Sequence, residues 1–170
     1  VEAALFAFNS PLSKGAILAD EVGLGKTIEA GIILSEMWAE NKRNILIVVP
    51  ASLRNQWNIE LMEKFYLPSF ILDSESFEEG KVQMSNGEKS IYICSYNFAV
   101  TNAEYFKNIN WDLIVLDEAH KLRNVYKKSN VMANALRAAF RNYKKVLLTA
   151  TPLQNNLKEL YGLISIIDPE

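Results

Sequence analysis

The sequence predicts an α/β fold, a three-layer domain with a mostly parallel central sheet. Short apolar runs alternate along the chain with helix-like patterns, which is the order of elements that a parallel sheet requires. The runs ILIVV at 45–49 and LIVL at 113–116 lack polar alternation, so both faces of these strands are expected to be covered. At 170 residues the chain is expected to form one domain with one sizeable core.

The individual elements follow from these patterns. Six apolar runs are predicted strands, at 16–19, 45–49, 69–72, 90–94, 113–117 and 146–149. Apolar residues at helical spacing predict helices at 27–40, 52–65, 96–106, 130–141 and 156–167. Ser52 is the expected N-cap of the second helix, because its hydroxyl can accept a hydrogen bond from a free backbone N–H. The polar segment 73–89 contains two glycines and is expected to be an exposed loop.

Composition limits the class of protein. No apolar run approaches the roughly 20 residues that a bilayer span needs, and Val1–Ala4 lack the basic start of a signal peptide. The single cysteine, Cys94, excludes an internal disulfide and lies in an apolar run, where it is expected to fill the core. We therefore expect a cytoplasmic protein without a membrane partner, and we expect residues 1–170 to be part of a longer chain.

The net charge of −2 conceals an uneven distribution. Residues 119–158 contain nine lysines and arginines and no acidic residue. A basic region on an acidic chain suggests contact with an anionic partner. The alternative is that these side chains are solvated positions on helices and loops, and that Lys144 and Lys145 lead into a strand.

The segment DEVGLGKT at 20–27 is the first candidate site. It lies between a predicted strand and a predicted helix, as in a loop whose backbone N–H groups and helix N-terminus bind phosphates. Lys26 is then expected to reach the β- and γ-phosphates, and the Thr27 hydroxyl to ligate Mg²⁺. The alternative is an ordinary strand-to-helix turn that carries a lysine. The predicted nucleotide contacts are Asp20, Glu21, Val22, Gly23, Leu24, Gly25, Lys26 and Thr27.

Two acids and a histidine follow the apolar run at 113–116. Ligands of open α/β sheets bind at the carboxyl ends of the strands. Asp117 is therefore expected to hold Mg²⁺, and Glu118 to orient and deprotonate the water that attacks the γ-phosphate. His120 is interpreted as a sensor that faces the γ-phosphate or the last strand. The alternative for this segment is a strand that ends in a polar turn.

The run LLTATP at 147–152 is another strand that ends in hydroxyl groups. Thr149 and Thr151 are candidates for hydrogen bonds to the acidic pair, through which they would report a bound γ-phosphate. Taken alone, this segment is no more than a strand end with a turn.

Considered together, these motifs show a resemblance. DEVGLGKT at 20–27, VPASL at 49–53 with Trp57, DEAH at 117–120 and LTATPLQN at 148–155 occur in the order of the first RecA-like lobe of superfamily-two helicases. They resemble the Swi/Snf-like ATPases in particular. The run ADEVGLGKTIEAG at 19–31 is most similar to their bacterial RapA-like branch.

The resemblance implies a RecA-like P-loop fold in which the strand at 146–149 lies between the phosphate-loop strand and the acidic strand, with Thr149 beside Asp117. It implies nucleic-acid backbone contacts for Ser52, Arg54, Ser95 and Tyr96, whereas Trp57 is interpreted as a core residue. Such contacts grip phosphates without reading sequence. The family's arginine fingers lie on a second RecA-like lobe, and its adenine-contacting glutamine segment is not found near residues 1–14.

The expected function is therefore that of the ATP-binding lobe of an ATPase that uses Mg²⁺, is stimulated by double-stranded DNA or RNA, and displaces or remodels bound protein. Expected partners are duplex nucleic acid, the second lobe and a protein such as a polymerase. An unwinding helicase, a restriction-type translocase and a non-catalytic nucleic-acid-binding scaffold are the alternatives. A small-molecule P-loop kinase is disfavoured, since no lid or acceptor site is recognisable.

Overall fold

The computed structural model describes residues 13–19, 25–122, 130–150 and 157–169. In this part of the chain, six strands form one sheet whose neighbours are all parallel, in the order β1-β6-β5-β2-β4-β3. The strands are β1 (Gly15–Ala19), β2 (Ile45–Val49), β3 (Ser69–Leu72), β4 (Ile91–Ser95), β5 (Leu113–Leu116) and β6 (Lys145–Thr149). The predicted α/β class and parallel sheet are confirmed, and β6 lies between β1 and β5 as expected.

Helices connect the strands. The α-helices are α1 (Gly25–Ala39), α2 (Arg54–Phe65), α3 (Phe77–Ser85), α4 (Tyr96–Thr101), α5 (Ala103–Lys107), α6 (Val131–Ala139) and α7 (Leu157–Ile167). Short 3₁₀ turns occupy Ala51–Leu53, directly before α2, and Ala119–Leu122, after β5. No helix of the described ranges is long and apolar enough to cross a bilayer.

The core has two parts, one on each face of the sheet. Successive residues of a strand point to opposite faces, so Ile45 and Ile47 pack on one side while Leu46 and Val48 pack on the other. Buried residues of α1 and α2 belong to the first part, and those of α4, α5, α6 and α7 belong to the second. Both faces of β2 are therefore covered, which explains its uninterrupted apolar sequence.

The expectation of an exposed loop at 73–89 was wrong, because this segment contains helix α3. Phe77, its first residue, packs edge-on against Phe98 and Tyr105, with ring centroids 5.1 and 5.2 Å away. Gly80 is buried, and a Cβ there would lie 2.3 Å from a methyl carbon of Leu72. Tertiary packing of one aromatic ring and one glycine thus stabilises a helix that local polarity did not indicate.

Three of the expected helices also differ in their boundaries. Ser52 does not cap α2: it lies in the 3₁₀ turn, and Leu53 occupies the N-cap position without a side-chain hydrogen bond. The segment predicted as one helix at 96–106 is divided at Asn102, which separates α4 from α5. Asn130, the first residue of the helix expected at 130–141, is instead the N-cap of α6 and accepts a hydrogen bond from the backbone N–H of Ala133 at 3.1 Å.

Gly31 determines how closely α1 approaches α2. A Cβ added there would lie 2.1 Å from the terminal ring carbon of Phe65, the last residue of α2. Alanine normally stabilises a helix interior by about 0.5–1 kcal/mol over glycine, whereas overpacking costs about 1–3 kcal/mol. We therefore expect Gly31→Ala to lower the free energy of unfolding by about 1–2 kcal/mol, measured by chemical denaturation. In the Phe65→Leu protein, which lacks the aromatic ring, the same Gly31→Ala change should lower the free energy of unfolding much less. A Gly31→Ala variant more stable than the wild type would contradict the close contact.

Candidate functional site

A pocket of about 250 Å³ lies at the carboxyl ends of strands β5 and β6. It brings together residues that are far apart in the sequence, with Lys26 and Thr27 from the start of α1 opposite Asp117 and Glu118 from the end of β5. Among the described residues, the lining comprises Lys26, Thr27, Leu53, Gln56, Trp57, Glu60, Asp117, Glu118 and Ala150. The basic, hydroxyl and acidic groups expected around a nucleotide's terminal phosphate therefore share one cavity.

Lys26 and Thr27 occupy the first turn of α1, which begins at Gly25 and extends for 15 residues. The first backbone N–H groups of a helix have no intrahelical partner, and the helix dipole adds positive partial charge at this end. No acidic side chain occupies this first turn. This helix end can therefore bind an anion. The predicted contacts Asp20, Glu21, Val22, Gly23 and Leu24 lie outside the described residues.

Asp117 is buried, with 8% of its surface exposed, and protein donors hold both of its carboxylate oxygens. The indole N–H of Trp57 donates to Oδ2 at 2.9 Å, and the backbone N–H of Glu118 donates to Oδ1 at 2.8 Å. Burial raises the pKa of Asp117 above its ordinary value, while these two donors and the nearby Lys26 oppose the increase. The orientation of the carboxylate is thus determined by hydrogen bonds inside the protein.

Tyr96 supports the same residue from another side. Its hydroxyl donates to the backbone carbonyl of Asp117, and 5% of its surface is exposed. Burial raises the pKa of this hydroxyl well above its ordinary value, so it remains a donor. The nucleic-acid contact expected of Tyr96 is not favoured by this position, since its side chain is directed into the protein rather than towards a partner.

Glu118 adopts a left-handed backbone conformation, with φ of 52°. A non-glycine residue rarely adopts this conformation, and such strain costs about 1–3 kcal/mol. Its side chain is one-third exposed, and Oε2 lies 3.1 Å from Nδ1 of His120. The two atoms are close, but their geometry is not that of a hydrogen bond. Nδ1 of His120 therefore has no hydrogen-bond partner among the described residues. The strained turn thus directs Glu118 into the pocket with His120 beside it.

Thr149 ends strand β6, between the strand of the phosphate loop and the acidic strand. Its side chain is 1% exposed, and its hydroxyl has no hydrogen-bond partner within the described part of the chain. A buried hydroxyl without a partner is costly and uncommon. The expected hydrogen bond from Thr149 to the acidic pair is therefore absent, because Asp117 and Glu118 are both described and neither accepts from this hydroxyl. The hydroxyl remains available to a ligand. Thr151 lies outside the described residues.

The donor set at the pocket fits magnesium. Mg²⁺ is usually held by one or two carboxylates together with waters and substrate phosphates, rather than by a complete protein cage. Thr27 and Asp117 supply a hydroxyl and a carboxylate to one cavity. Each carboxylate oxygen retains a second lone pair when it accepts one hydrogen bond, so Asp117 can still act as a ligand. Within the described ranges, no cluster of three or more histidine, cysteine, aspartate or glutamate residues offers an alternative metal site.

Two of the other candidate nucleic-acid residues line a separate groove. Arg54 and Ser95, distant in sequence, line one groove of about 410 Å³ with Asp73 and Glu75. Arg54 lies 3.6 Å from Asp73, and backbone N–H groups, that of Ser76 foremost, hold the pKa of Asp73 below its ordinary value. A phosphate here would therefore have to compete with Asp73 for Arg54. Ser52 is exposed and is not among the residues that line this groove. The Ser95 hydroxyl caps α4 by accepting a hydrogen bond from the backbone N–H of Phe98 at 3.2 Å.

Sequence reasoning missed the roles of Trp57 and Tyr96 at the site. Trp57 was interpreted as a core residue, and 3% of its surface is exposed, but its indole N–H also reaches Asp117. The N–H of a buried tryptophan usually has a hydrogen-bond partner. A tryptophan interpreted as a core residue therefore predicts a nearby acceptor, and an acidic residue of the site is a candidate for it. Gln56 and Glu60 line the pocket as well, and no local motif distinguished them.

The sequence of this chain is similar to a known domain family and to named bacterial proteins. The sequence model of the SNF2-related domain family matches residues 5–170 of this chain. An RNA polymerase-associated protein RapA from Pectobacterium carotovorum subsp. carotovorum is 38% identical over 160 residues, covering 90% of this chain. An uncharacterised ATP-dependent helicase, YqhH, from Bacillus subtilis is 42% identical over 159 residues, covering 91% of this chain.

A solved structure has the same fold. The SWI2/SNF2 ATPase core of Sulfolobus solfataricus, in complex with double-stranded DNA, matches 99% of this chain with a TM-score of 0.77 and 22% identity. The chain spans 16% of the RapA relative, 26% of YqhH and 34% of the Sulfolobus chain. It is therefore similar to one part of proteins that are several times longer.

Proposed function

Because the chain belongs to the SNF2-related domain family, and an ATPase function follows from that membership, we propose that it is the ATP-binding lobe of a DNA-stimulated ATPase. The resemblance to the Swi/Snf-like ATPases is confirmed, and relatives of the RapA type support the bacterial branch. The observation that carries the proposal is the single pocket shared by Lys26, Thr27, Asp117 and Glu118. These are the groups that phosphoryl transfer from ATP to water requires.

The proposed role of each of these site residues follows from its chemistry. The Lys26 ammonium and the N-terminus of α1 would bind the β- and γ-phosphates. Glu118 would orient the attacking water and accept its proton. Thr149, which is buried and directly precedes the lining residue Ala150, would act as the sensor of the γ-phosphate. Thr27 and Asp117 would hold magnesium, which, when bound, neutralises charge on the phosphates. A second RecA-like lobe would supply the remaining cationic groups.

The partners are proposed on chemical grounds and by analogy. The structural neighbour is an ATPase core in complex with double-stranded DNA, and the RapA relatives are RNA polymerase-associated. We propose that this protein likewise tracks duplex nucleic acid and displaces or remodels a bound protein such as a polymerase. The exposed Ser52 and the groove residues Arg54 and Ser95 are the proposed backbone contacts.

Duplex DNA is expected to increase ATP turnover by the full-length protein, and the increase should weaken as salt rises. Contacts to phosphates release counterions, so the logarithm of affinity falls with the logarithm of salt concentration by about 0.9 per phosphate contact. The measurement is the steady-state ATPase rate against DNA concentration at several salt concentrations, with the DNA-free rate as control. An absence of stimulation would contradict the proposed function, and a salt-independent response would contradict backbone contacts.

An unwinding helicase remains the second candidate, because the YqhH relative carries the name of an ATP-dependent helicase. The two candidates differ in the fate of the duplex. A translocase moves along double-stranded DNA and leaves the strands paired, whereas a helicase releases one strand. A strand-displacement assay with a fluorophore and quencher on opposite strands distinguishes them: release of labelled strand during ATP hydrolysis would favour the helicase.

A further inference from the structure

Two segments that are proposed to contact nucleic acid are each hydrogen-bonded to Asp117. The first is the 3₁₀ turn and start of α2, which carries Ser52 and Arg54, and its Trp57 donates to Oδ2 of Asp117 at 2.9 Å. The second is the end of β4 and start of α4, where Tyr96 follows Ser95 directly and donates to the carbonyl of Asp117. A single pocket residue is thus connected to both segments.

The connections are short and shielded from water. Trp57 and Tyr96 are 3% and 5% exposed, so their hydrogen bonds lie in a low-dielectric environment where they are stronger than at the surface. Trp57 lies one helical turn after Arg54, and Arg54 Nε donates to the Ala51 carbonyl at 3.1 Å. The turn and the helix are therefore one stiff unit, and a partner that shifts this unit also shifts the indole.

The two oxygens of the Asp117 carboxylate accept hydrogen bonds from different parts of the fold. Oδ1 accepts from the backbone N–H of the adjacent Glu118, at 2.8 Å, which is a local contact that moves with Asp117 itself. Oδ2 depends on Trp57, which belongs to a different element. Tyr96 holds the backbone at the point where the chain turns into the strained conformation of Glu118. The two donors therefore influence both acids of the pocket.

We propose that Trp57 and Tyr96 are positioning residues that couple nucleic-acid contact to the nucleotide site through Asp117. The inference rests on the proposed function and specifies its regulation. Duplex bound at Ser52, Arg54 or Ser95 favours the conformation in which both donors hold Asp117 as the structure shows. Nucleotide binding and duplex binding then strengthen each other, because coupling between two sites is reciprocal.

The decisive variant is Trp57→Phe in the full-length protein, which retains an aromatic ring and removes the N–H donor. In the absence of duplex, we expect kcat to fall about tenfold, the size of effect given by one lost hydrogen bond to a charged group, with KM for ATP changed less than twofold. Trp111→Phe is the matched control, because Trp111 is also buried and donates its indole N–H at 2.9 Å, but to the carbonyl of Phe106 in the core.

A binding measurement separates coupling from turnover. The affinity for a fluorescent nonhydrolysable ATP analogue is measured with and without saturating duplex. In the wild type and in Trp111→Phe, duplex is expected to tighten analogue binding at least about fivefold, the lower end of typical allosteric coupling. In Trp57→Phe, duplex is expected to change it less than twofold, although the variant still binds duplex.

The hydroxyl of Tyr96 is tested in the same way with Tyr96→Phe. Its matched control is Tyr92→Phe, because Tyr92 is equally buried and its hydroxyl has no hydrogen-bond partner among the described residues. We expect Tyr96→Phe to reduce the duplex-dependent change in analogue affinity, and Tyr92→Phe to leave it at the wild-type value.

The outcomes distinguish this inference from the proposed function. If wild-type protein is stimulated by duplex and both variants retain the full duplex-dependent change in analogue affinity, the positioning role is refuted while the proposed function stands. If the wild type is not stimulated at all, the proposed function fails. The basal rate then decides the positioning role, which is overturned if Trp57→Phe and Trp111→Phe hydrolyse ATP equally fast.

Discussion

Lys26→Ala is expected to abolish ATP turnover by the full-length protein, with kcat at least about 10³-fold lower, the upper range for removing one preorganised charge-stabilising group. Lys26 occupies the first turn of α1 and faces the acidic residues across the pocket. Among the described residues that line the pocket, Lys26 carries the one positive charge. Without its ammonium, the charge that develops on the phosphates would lose a stabilising partner. Phosphate release at saturating ATP, with and without duplex, is the measurement.

Lys42→Ala is the matched control for this variant. It removes the same charge from an exposed lysine that pairs with Glu40 at 2.6 Å, and Lys42 does not line the pocket. Surface ion pairs of this kind contribute little, about 0–1 kcal/mol, so turnover should stay at the wild-type value. Turnover by Lys26→Ala at a rate close to that of Lys42→Ala would remove Lys26 from the mechanism.

Glu118→Gln is expected to separate binding from hydrolysis. Glutamine has nearly the same shape and retains a polar oxygen, but it cannot accept the proton of the attacking water. We expect an ATP affinity within about threefold of the wild type and a kcat that is lower by about 10²–10⁴-fold, the contribution of general base catalysis. Equilibrium binding of a fluorescent ATP analogue and single-turnover hydrolysis are measured on the same preparation.

Glu60→Gln provides the comparison for Glu118, because Glu60 also lines the pocket. Its carboxylate, however, accepts a hydrogen bond from Gln56 at 2.9 Å and forms an ion pair with Lys64 at 3.3 Å, both on its own helix. Its conversion should leave hydrolysis within about twofold, since no step in the proposed mechanism assigns it a proton. If Glu118→Gln instead lost ATP binding, the strained turn at Glu118 would be a structural requirement, and the catalytic role would have to be reassigned.

The sequence was sufficient for the sheet and for most of its strands. Strands β2 and β5 have uninterrupted apolar sequences because both of their faces are buried, and this property can be read without knowing which helices cover them. The order of β1, β6 and β5 did not follow from periodicity. It came from the family resemblance, and the structure confirmed it. Helix α3 was missed because its stability depends on contacts of Phe77 with residues that follow it by more than 20 positions.

In the candidate site, too, some residues could be predicted from the local sequence and others could not. Local order identified Lys26, Thr27, Asp117 and Glu118, because a phosphate loop and an acidic strand end each place their chemistry within a few consecutive residues. Trp57 and Tyr96 have no such local signal. They reach Asp117 from helices that lie 60 and 21 positions away in the sequence, and no short motif records a contact of that kind.

By itself, the sequence determined the α/β class, the buried strands and the identity of the acidic and basic groups that meet at the pocket, since these depend on hydrophobicity and on residues near one another in the chain. Only the tertiary structure decided that both carboxylate oxygens of Asp117 are held by protein donors, that Tyr96 is directed inward, and that the Thr149 hydroxyl lacks a protein partner in the described residues. Hydrogen bonds between distant elements depend on how helices pack on the sheet, and that packing is a property of the whole fold.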